Sequence, residues 1–147
     1  MNWTLKSFDE LTVPEFHNFI QLRLDIFVVE QDCPYLDLDG KDKIAYHFFA
    51  TTNQGQTVAY TRLFGPGDYY DEASIGRVVV HKNFRKDGLG FELMSRSIQQ
   101  IESLFKTKTI RIGAQTYLKK FYESLGFVST GHDYMEDGIP HMYMIKN

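Results

Sequence analysis

The chain has few of the residues that cross-linked, metal-binding and nucleic-acid-binding proteins need. Its single cysteine, Cys33, excludes an intrachain disulfide and the Cys-rich zinc frameworks. The 16 lysines and arginines are outnumbered by 19 aspartates and glutamates, so the net charge is −3 and no basic stripe is present to neutralise a phosphate backbone. We therefore expect no metal and no nucleic-acid partner.

Long apolar runs, low-complexity tracts and internal repeats are also lacking. No stretch reads as a bilayer-spanning segment, and no basic-apolar leader opens the sequence. Hydrophobic residues make up 43% of the 147 residues and aromatic residues 15%, which suits a chain that buries one core. We expect a single domain over residues 1–147, no membrane partner and a cytoplasmic location.

The spacing of apolar residues predicts an alternation of strands and helices. Thr12 and Glu15 form a capping-box pair before a helix that should run from about Val13 to the Val29 region. A second helix is predicted after the Gly88–Gly90 turn, and a third begins near Leu118. Seven strands are predicted, at residues 3–8, 44–52, 56–64, 74–80, 110–114, from 127 onward and 139–145. This order predicts a mixed α/β fold, with helices on both faces of one twisted sheet.

A glycine-rich turn, Arg85-Lys86-Asp87-Gly88-Leu89-Gly90, connects the valine run Val78-Val79-Val80 to a helix. The free N–H groups and the positive dipole end of a helix start favour an anion, and glycines let the backbone approach phosphates closely. The turn lacks the Gly-Lys-Ser/Thr ending of a Walker A loop and the third glycine of a dinucleotide fingerprint. It is typical of a pyrophosphate site, although a plain loop-to-helix junction has the same two glycines.

A second motif follows downstream, in which Tyr122 precedes Gly126-Phe127 by four positions. An Arg-x-x-Gly-x-Gly turn after a valine strand, followed by Tyr-x-x-x-Gly-Phe, resembles the GNAT superfamily of acetyl-CoA-dependent N-acetyltransferases. The chain is most similar to the ElaA-like branch of that superfamily. This likeness extends to four flanking segments, at residues 27–35, 37–40, 75–78 and 136–141.

The resemblance implies one GNAT domain that transfers an acetyl group from acetyl-CoA directly to an amine, in a ternary complex. The strand would pair with the pantetheine arm, one of its N–H groups would polarise the thioester carbonyl, and the turn would hold the pyrophosphate. Tyr122 matches the tyrosine that commonly protonates the coenzyme A thiolate, although its apolar stripe also fits packing. By this likeness the cosubstrate residues are Val78, Val79, Val80, Arg85, Lys86, Asp87, Gly88, Leu89, Gly90, Phe91, Gln115 and Phe121.

The base that deprotonates the acceptor ammonium is poorly determined by the sequence. His47 lies in an apolar strand, where a core histidine is the usual finding. Glu136 and His141 flank a predicted hairpin next to the expected substrate end. His47, Glu136 and His141 are also candidate substrate contacts, and Glu30 or a water chain is a further alternative for the base.

Four aspartates, Asp32, Asp37, Asp39 and Asp42, cluster before the first hairpin. With the net negative charge, they suggest attraction of a small cationic amine, but a solvated loop has the same composition. The acceptor is left open as a small molecule or a peptide, and a homodimer is one alternative for the oligomeric state.

Two other function classes compete with the enzyme. A non-catalytic acetyl-CoA-binding or sensing module would need the turn but no acid at the thiol, so Tyr122 argues against it. A small interaction protein would present some of its 12 phenylalanines and 9 tyrosines as exposed patches, which the periodic stripes do not require.

Overall fold

A seven-stranded mixed sheet organises the chain, and the computed structural model describes all residues from 1 to 147. Its strands β1 to β7 are Asn2–Ser7, Tyr46–Thr51, Thr57–Phe64, Ala73–Val80, Ile110–Gln115, Val128–Glu136 and Ile139–Lys146. Their spatial order is β1-β2-β3-β4-β5-β7-β6, and every neighbouring pair is antiparallel except β4 with β5. The predicted number and order of strands are confirmed.

Three helices connect these strands: α1 at Val13–Leu24, α2 at Leu89–Phe105 and α3 at Lys119–Glu123. The capping box at α1 forms as predicted, because the Glu15 N–H donates to Thr12 Oγ1 at 3.2 Å and Glu15 Oε1 accepts from the Thr12 N–H at 2.9 Å. Beyond α1 the chain continues as a wider, π-type helix, Asp25–Glu30. None of the helices has the length and apolar character that a bilayer-spanning segment needs.

The helices cover opposite faces of the sheet because successive side chains of a strand point to opposite sides. In β2, Phe48 packs into the cluster that contains the α2 side chains, whereas Phe49 packs with α1. β3 is buried along its whole length, as expected for a strand covered on both faces. The mixed α/β class with helices on both faces is therefore confirmed.

β4 and β5 separate soon after they meet. Only two residue pairs, Ala73 with Ile110 and Ser74 with Arg111, hold them together. Just beyond these pairs, β4 contains a β-bulge, in which Arg77 and Val78 both lie opposite a single residue of β3. A bulge bends its strand, while β5 stays paired with β7 as far as Gln115. The sheet consequently opens into a cleft between β4 and β5.

Three arginines and three aspartates form a group of ion pairs, which we call the aspartate–arginine network: Arg23, Arg62, Arg77, Asp37, Asp39 and Asp42. Arg23 of α1 is fully buried and binds Asp37 through Nε and Asp42 through Nη1, each at 2.8 Å. Arg62 of β3 binds Asp39 at 2.8 Å. Because an unpaired buried charge is strongly destabilising, these pairs hold the loop between α1 and β2 against the sheet.

The network corrects the interpretation of the acidic loop as a solvated or cation-attracting segment. Asp37 and Asp42 are buried, and Asp39 is neutralised by Arg62. The carboxylates that the sequence suggested for substrate recognition are therefore used inside the fold, and only Asp32 among the four lies outside the network.

The network predicts a specific loss of stability in acid. Burial by itself raises the pKa of Asp39, but hydrogen bonds from Arg62 and Lys41 outweigh it and lower that pKa to about 2 from an ordinary 3.8. A carboxylate whose pKa falls on folding stabilises the fold above its ordinary pKa, and this contribution disappears as the pH falls through the folded value. We expect the melting temperature to drop between about pH 5 and pH 2.

Asp39→Asn tests this contribution by itself, because in this variant Arg62 still has its ion pair with Asp42 and Arg77 still has its ion pair with Asp37. Its melting temperature should be lower than the parent's at pH 7 and should change less on acidification, as followed by circular dichroism. Parallel melting curves for the two proteins over this pH range would contradict the assignment.

Candidate active site

A cavity of about 700 Å³ occupies the cleft between β4 and β5. β4 forms one wall, and β5 with the turn into α3 forms the other. The π-type helix and the segment after it cover one end, and the hairpin between β6 and β7 closes another side. The lining comes from Ile26, Phe27, Glu30, Gln31, Cys33, Tyr35, residues 75–80, Arg85, Gly90, Ile112, Gly113, Gln115, Tyr117, Leu118, Phe121, Tyr122, Glu136, Asp137, Ile139 and His141.

The edge of β4 presents backbone N–H groups to this cavity. The His81 N–H donates to the Val58 carbonyl at 2.8 Å, which fixes the phase of the hydrogen-bond ladder between β3 and β4. Two residues back along the ladder, Val79 lies opposite Tyr60. Since backbone groups alternate in direction along a strand, the N–H groups of Val78 and Val80 point to the side where β5 has moved away. All three valines line the cavity.

Only some residues of the glycine turn line the cavity. Arg85 and Gly90 line it, whereas Lys86, Asp87 and Gly88 do not. Gly88 has a φ of +73°, which glycine adopts without strain, and it forms the N-cap of α2. The first α-helical bond runs from the Glu92 N–H to the Gly88 carbonyl at 3.1 Å, so the preceding N–H groups have no intrahelical partner.

Two other predicted residues at this turn point away from the cavity. Leu89 packs its side chain into the core beneath α2. Phe91 is 48% exposed and does not line the cavity. Any contribution of these two residues to a phosphate site would come from their backbone N–H groups, which lie in the first turn of α2.

Arg85 is held by an ion pair across the cavity. Its two Nη atoms bind the Glu30 carboxylate, with Nη1 at 2.8 Å from Oε1, and its Nε donates to the Val80 carbonyl at 3.1 Å. The hydrogen bonds from Arg85 lower the pKa of Glu30. The pair therefore joins the end of the π-type helix to the glycine turn, and Glu30 is a partner of Arg85 in this arrangement.

Tyr122 is buried and lines the cavity from α3. Its ring packs edge-on against Phe121 and Phe127, at 5.1 and 6.0 Å between centroids. Burial raises the pKa of the phenol, so the hydroxyl is protonated at neutral pH. A neutral phenol at the wall of a cavity is a proton donor.

His141 lies on the opposite side, in β7, and its tautomer is set by a neighbour. Its Nδ1 lies 2.8 Å from the Ile139 carbonyl, which can only accept, so in the neutral imidazole Nδ1 carries the hydrogen and Nε2 the lone pair. Nε2 lies 3.4 Å from Glu136 Oε2. The imidazole is stacked on Tyr134 at 5.4 Å, which fixes the plane of the ring.

His47 is a core residue, which corrects its prediction as a candidate base or substrate contact. It is fully buried, does not line the cavity and stacks on Phe19 at 5.1 Å. Its Nε2 donates to the Asp42 carbonyl at 2.9 Å, and its Nδ1 accepts from the Tyr60 hydroxyl at 2.6 Å. Burial lowers the pKa of this imidazole. Both nitrogens are therefore used inside the fold, and neither is available to a substrate.

The remaining predicted residues line the cavity near α3. Phe121 contributes its ring, and Gln115 donates from Nε2 to Gln31 Oε1 at 3.4 Å, across to the covering segment. The structure thus brings together most of the predicted site: the three valines, Arg85, Gly90, Gln115, Phe121, Tyr122, Glu136 and His141.

Arg77 and Tyr35 are among the cavity residues that were not predicted from the sequence. The Tyr35 hydroxyl donates to Asp37 Oδ1 at 2.7 Å, and the Arg77 guanidinium lies over the Tyr35 ring at 5.4 Å. A signal for Arg77 was present, because Arg62 and Arg77 stand in mostly apolar strands, and an arginine in such a strand needs carboxylate partners. The nearby aspartates are those partners.

Comparisons with known proteins agree with this geometry. The family model described as an acetyltransferase (GNAT) domain matches residues 28–147. A UPF0039 protein of Synechocystis is 39% identical over 145 residues, which cover 99% of this chain and 94% of that protein.

Two solved structures extend the likeness to the fold. The crystal structure of Escherichia coli ElaA has a TM-score of 0.90 at 35% identity, and that of an acyl-CoA N-acyltransferase from Pseudomonas aeruginosa has a TM-score of 0.92 at 38% identity. Both comparisons cover 100% of each chain. The family model, the relatives and the cleft between β4 and β5 together show that the chain belongs to the GNAT acetyltransferase family, with ElaA among its relatives.

Proposed function

We propose that the protein transfers the acetyl group of acetyl-CoA directly to an amine, in a ternary complex held in the cavity between β4 and β5. The observation that carries this proposal is the open edge of β4, where the Val78 and Val80 N–H groups face a cavity that also contains Tyr122 and His141. A thioester on this edge would have donors, an acid and a base within one cavity.

The cosubstrate would lie along β4 and end at α2. The N–H groups at Val78 and Val80 would pair with the pantetheine arm, and the one nearest the thioester would polarise its carbonyl. The first turn of α2 would take the pyrophosphate, where Gly90 gives a close approach. This arrangement uses backbone groups, which are preorganised by the sheet and the helix.

Tyr122 and His141 would divide the proton transfers. His141 Nε2 takes a proton from the acceptor ammonium, and the resulting imidazolium is stabilised by Glu136. The neutral amine then attacks the thioester carbon, a C–N bond forms and the C–S bond breaks. Tyr122 protonates the departing thiolate, and the proton that leaves the newly acylated nitrogen restores the phenol.

An assay of acetyl-CoA-dependent thiol release across a panel of amines tests the proposal. The panel should include small diamines, amino acids and peptides with free N-termini, and mass spectrometry should identify the product. We expect thiol release that depends on one class of amine and yields an N-acetylated product. Tight binding of acetyl-CoA with no turnover of any amine would instead favour a sensing module.

Gly90→Ala should weaken acetyl-CoA binding without destabilising the protein. A methyl group at Gly90 would meet its nearest neighbours, Phe121 and Val80, at 3.8–3.9 Å, which is ordinary van der Waals contact. Its effect would therefore fall on the bound pyrophosphate. Calorimetry should show a dissociation constant at least about tenfold higher, which is about 1.4 kcal/mol.

Phe91→Ala is the matched control, because Phe91 lies in the same turn of α2 but outside the cavity. It should leave the acetyl-CoA affinity close to that of the parent. A Gly90→Ala variant that also binds like the parent would place the pyrophosphate elsewhere.

Tyr122→Phe should lower kcat by about a hundredfold to ten-thousandfold, the usual contribution of a general acid. The ring packing against Phe121 and Phe127 is retained, so the melting temperature and the acetyl-CoA affinity should change little. Steady-state kinetics with an amine identified in the panel provide the measurement. A variant with the parent's kcat would leave Tyr122 as a packing residue only.

His141→Gln should reduce kcat/KM most strongly for acceptors that are fully protonated at the assay pH. Glutamine removes the basic nitrogen, whereas an acceptor that is already neutral needs no base. Comparison of a lysine-like amine with an aromatic amine of low basicity supplies the measurement. Equal losses for the two acceptors would show that His141 contacts the substrate without accepting its proton.

A further inference from the structure

Arg77 has an unfavourable backbone conformation, which the contacts of its side chain must stabilise. Its φ is +48°, in the left-handed region that costs free energy for any residue other than glycine. It is the bulged residue of β4, at the position where the cleft opens. Such strain persists only where the surroundings determine the conformation strongly.

The contacts of the Arg77 guanidinium identify those surroundings. Its Nη2 donates to the Asp37 carbonyl at 3.0 Å and lies 3.5 Å from Asp39 Oδ2. Its Nε is 3.0 Å from Asp37 Oδ1, although its N–H is not aligned for a hydrogen bond. These contacts tie the bulge of β4 to the loop that precedes β2.

That loop is a rigid anchor, because its aspartates are fixed from other elements. The Asp37 side chain is fully buried against Arg23 of α1 and also accepts from the Tyr35 hydroxyl. Asp39 is held by Arg62 of β3 at 2.8 Å. Arg77 is therefore tied to a loop that α1 and β3 both hold in place.

The bulge that Asp37 and Asp39 hold lies at the wall of the cavity. The Val78 N–H, which follows the strained residue directly, points to the cavity side of β4. Arg77 and Tyr35 both line the same cavity. A change in the conformation of Arg77 would rotate the peptide that carries this N–H.

We infer that Asp37 and Asp39 are positioning residues that act through Arg77. They hold the bulge of β4 in its left-handed conformation, so that the Val78 N–H meets the thioester carbonyl. This inference rests on the proposed function. A purely structural network would differ in its consequences, because it would anchor the loop without setting the direction of that N–H.

Arg77→Gly and Arg77→Ala separate these alternatives. Both substitutions remove the guanidinium, but they differ in the cost of the left-handed conformation. Glycine adopts a φ of +48° without cost, whereas alanine does not. Both variants should fold, because Arg23 still pairs with Asp37 and Arg62 still pairs with Asp39. Melting curves and the affinity for free coenzyme A, which has no thioester carbonyl, serve as controls.

Isotope-edited infrared spectroscopy of bound [1-13C]acetyl-CoA reports the polarisation of the carbonyl. We expect a shift to lower frequency in the parent and in Arg77→Gly, and a frequency close to that of free acetyl-CoA in Arg77→Ala. The kcat/KM of Arg77→Ala should be about fivefold or more below that of Arg77→Gly, the factor that corresponds to the left-handed penalty.

Equal carbonyl frequencies and equal kcat/KM in the two variants would overturn the positioning role while leaving the proposed function intact. A parent protein that binds acetyl-CoA without any carbonyl shift would contradict the polarisation step itself. Arg77→Lys provides a further check, since a lysine can retain one contact with Asp37 and should fall between the parent and the alanine variant.

Discussion

The divergence of β4 from β5 is the constraint on which the rest of the site depends. Two strands that remained paired along their length would use the Val78 and Val80 N–H groups in a ladder and leave no cavity. The pairing stops at Ser74, shortly before the bulge at Arg77, and β7 keeps β5 in the sheet by pairing with it from the other side. The same cleft therefore supplies both the donors and the space for a thioester.

The charges of the acidic loop are paired within the fold, which changes the view that the sequence suggested. The aspartate–arginine network neutralises three of the four loop aspartates. At the cavity, Glu30 faces Arg85 and Glu136 faces His141. A net charge of −3 therefore says little about recognition.

Local sequence signals predicted the fold well because they act over a few residues. Apolar spacing located every strand, the capping box located α1, and the glycine turn located the start of α2. Tyr122 was located differently, through the resemblance of its Tyr-x-x-x-Gly-Phe motif to the GNAT superfamily, and it lines the cavity. What failed depends on contacts between distant segments. His47 is bonded by Tyr60 and Asp42, and the loop aspartates meet arginines from three elements, so the role of each is decided by strand register and packing.

The central claim is that acetyl-CoA binds along the open edge of β4 and at the first turn of α2. A titration of 15N-labelled protein with acetyl-CoA, followed by amide NMR shifts, tests this most directly. The account predicts saturable shifts of the Val78, Val80 and Gly90 amides. It predicts little change in β1 and β2, which lie at one edge of the sheet, away from the cavity. Unchanged amides at these three positions, with shifts gathered instead at the separate hollow beside Tyr70 and Arg111, would contradict it.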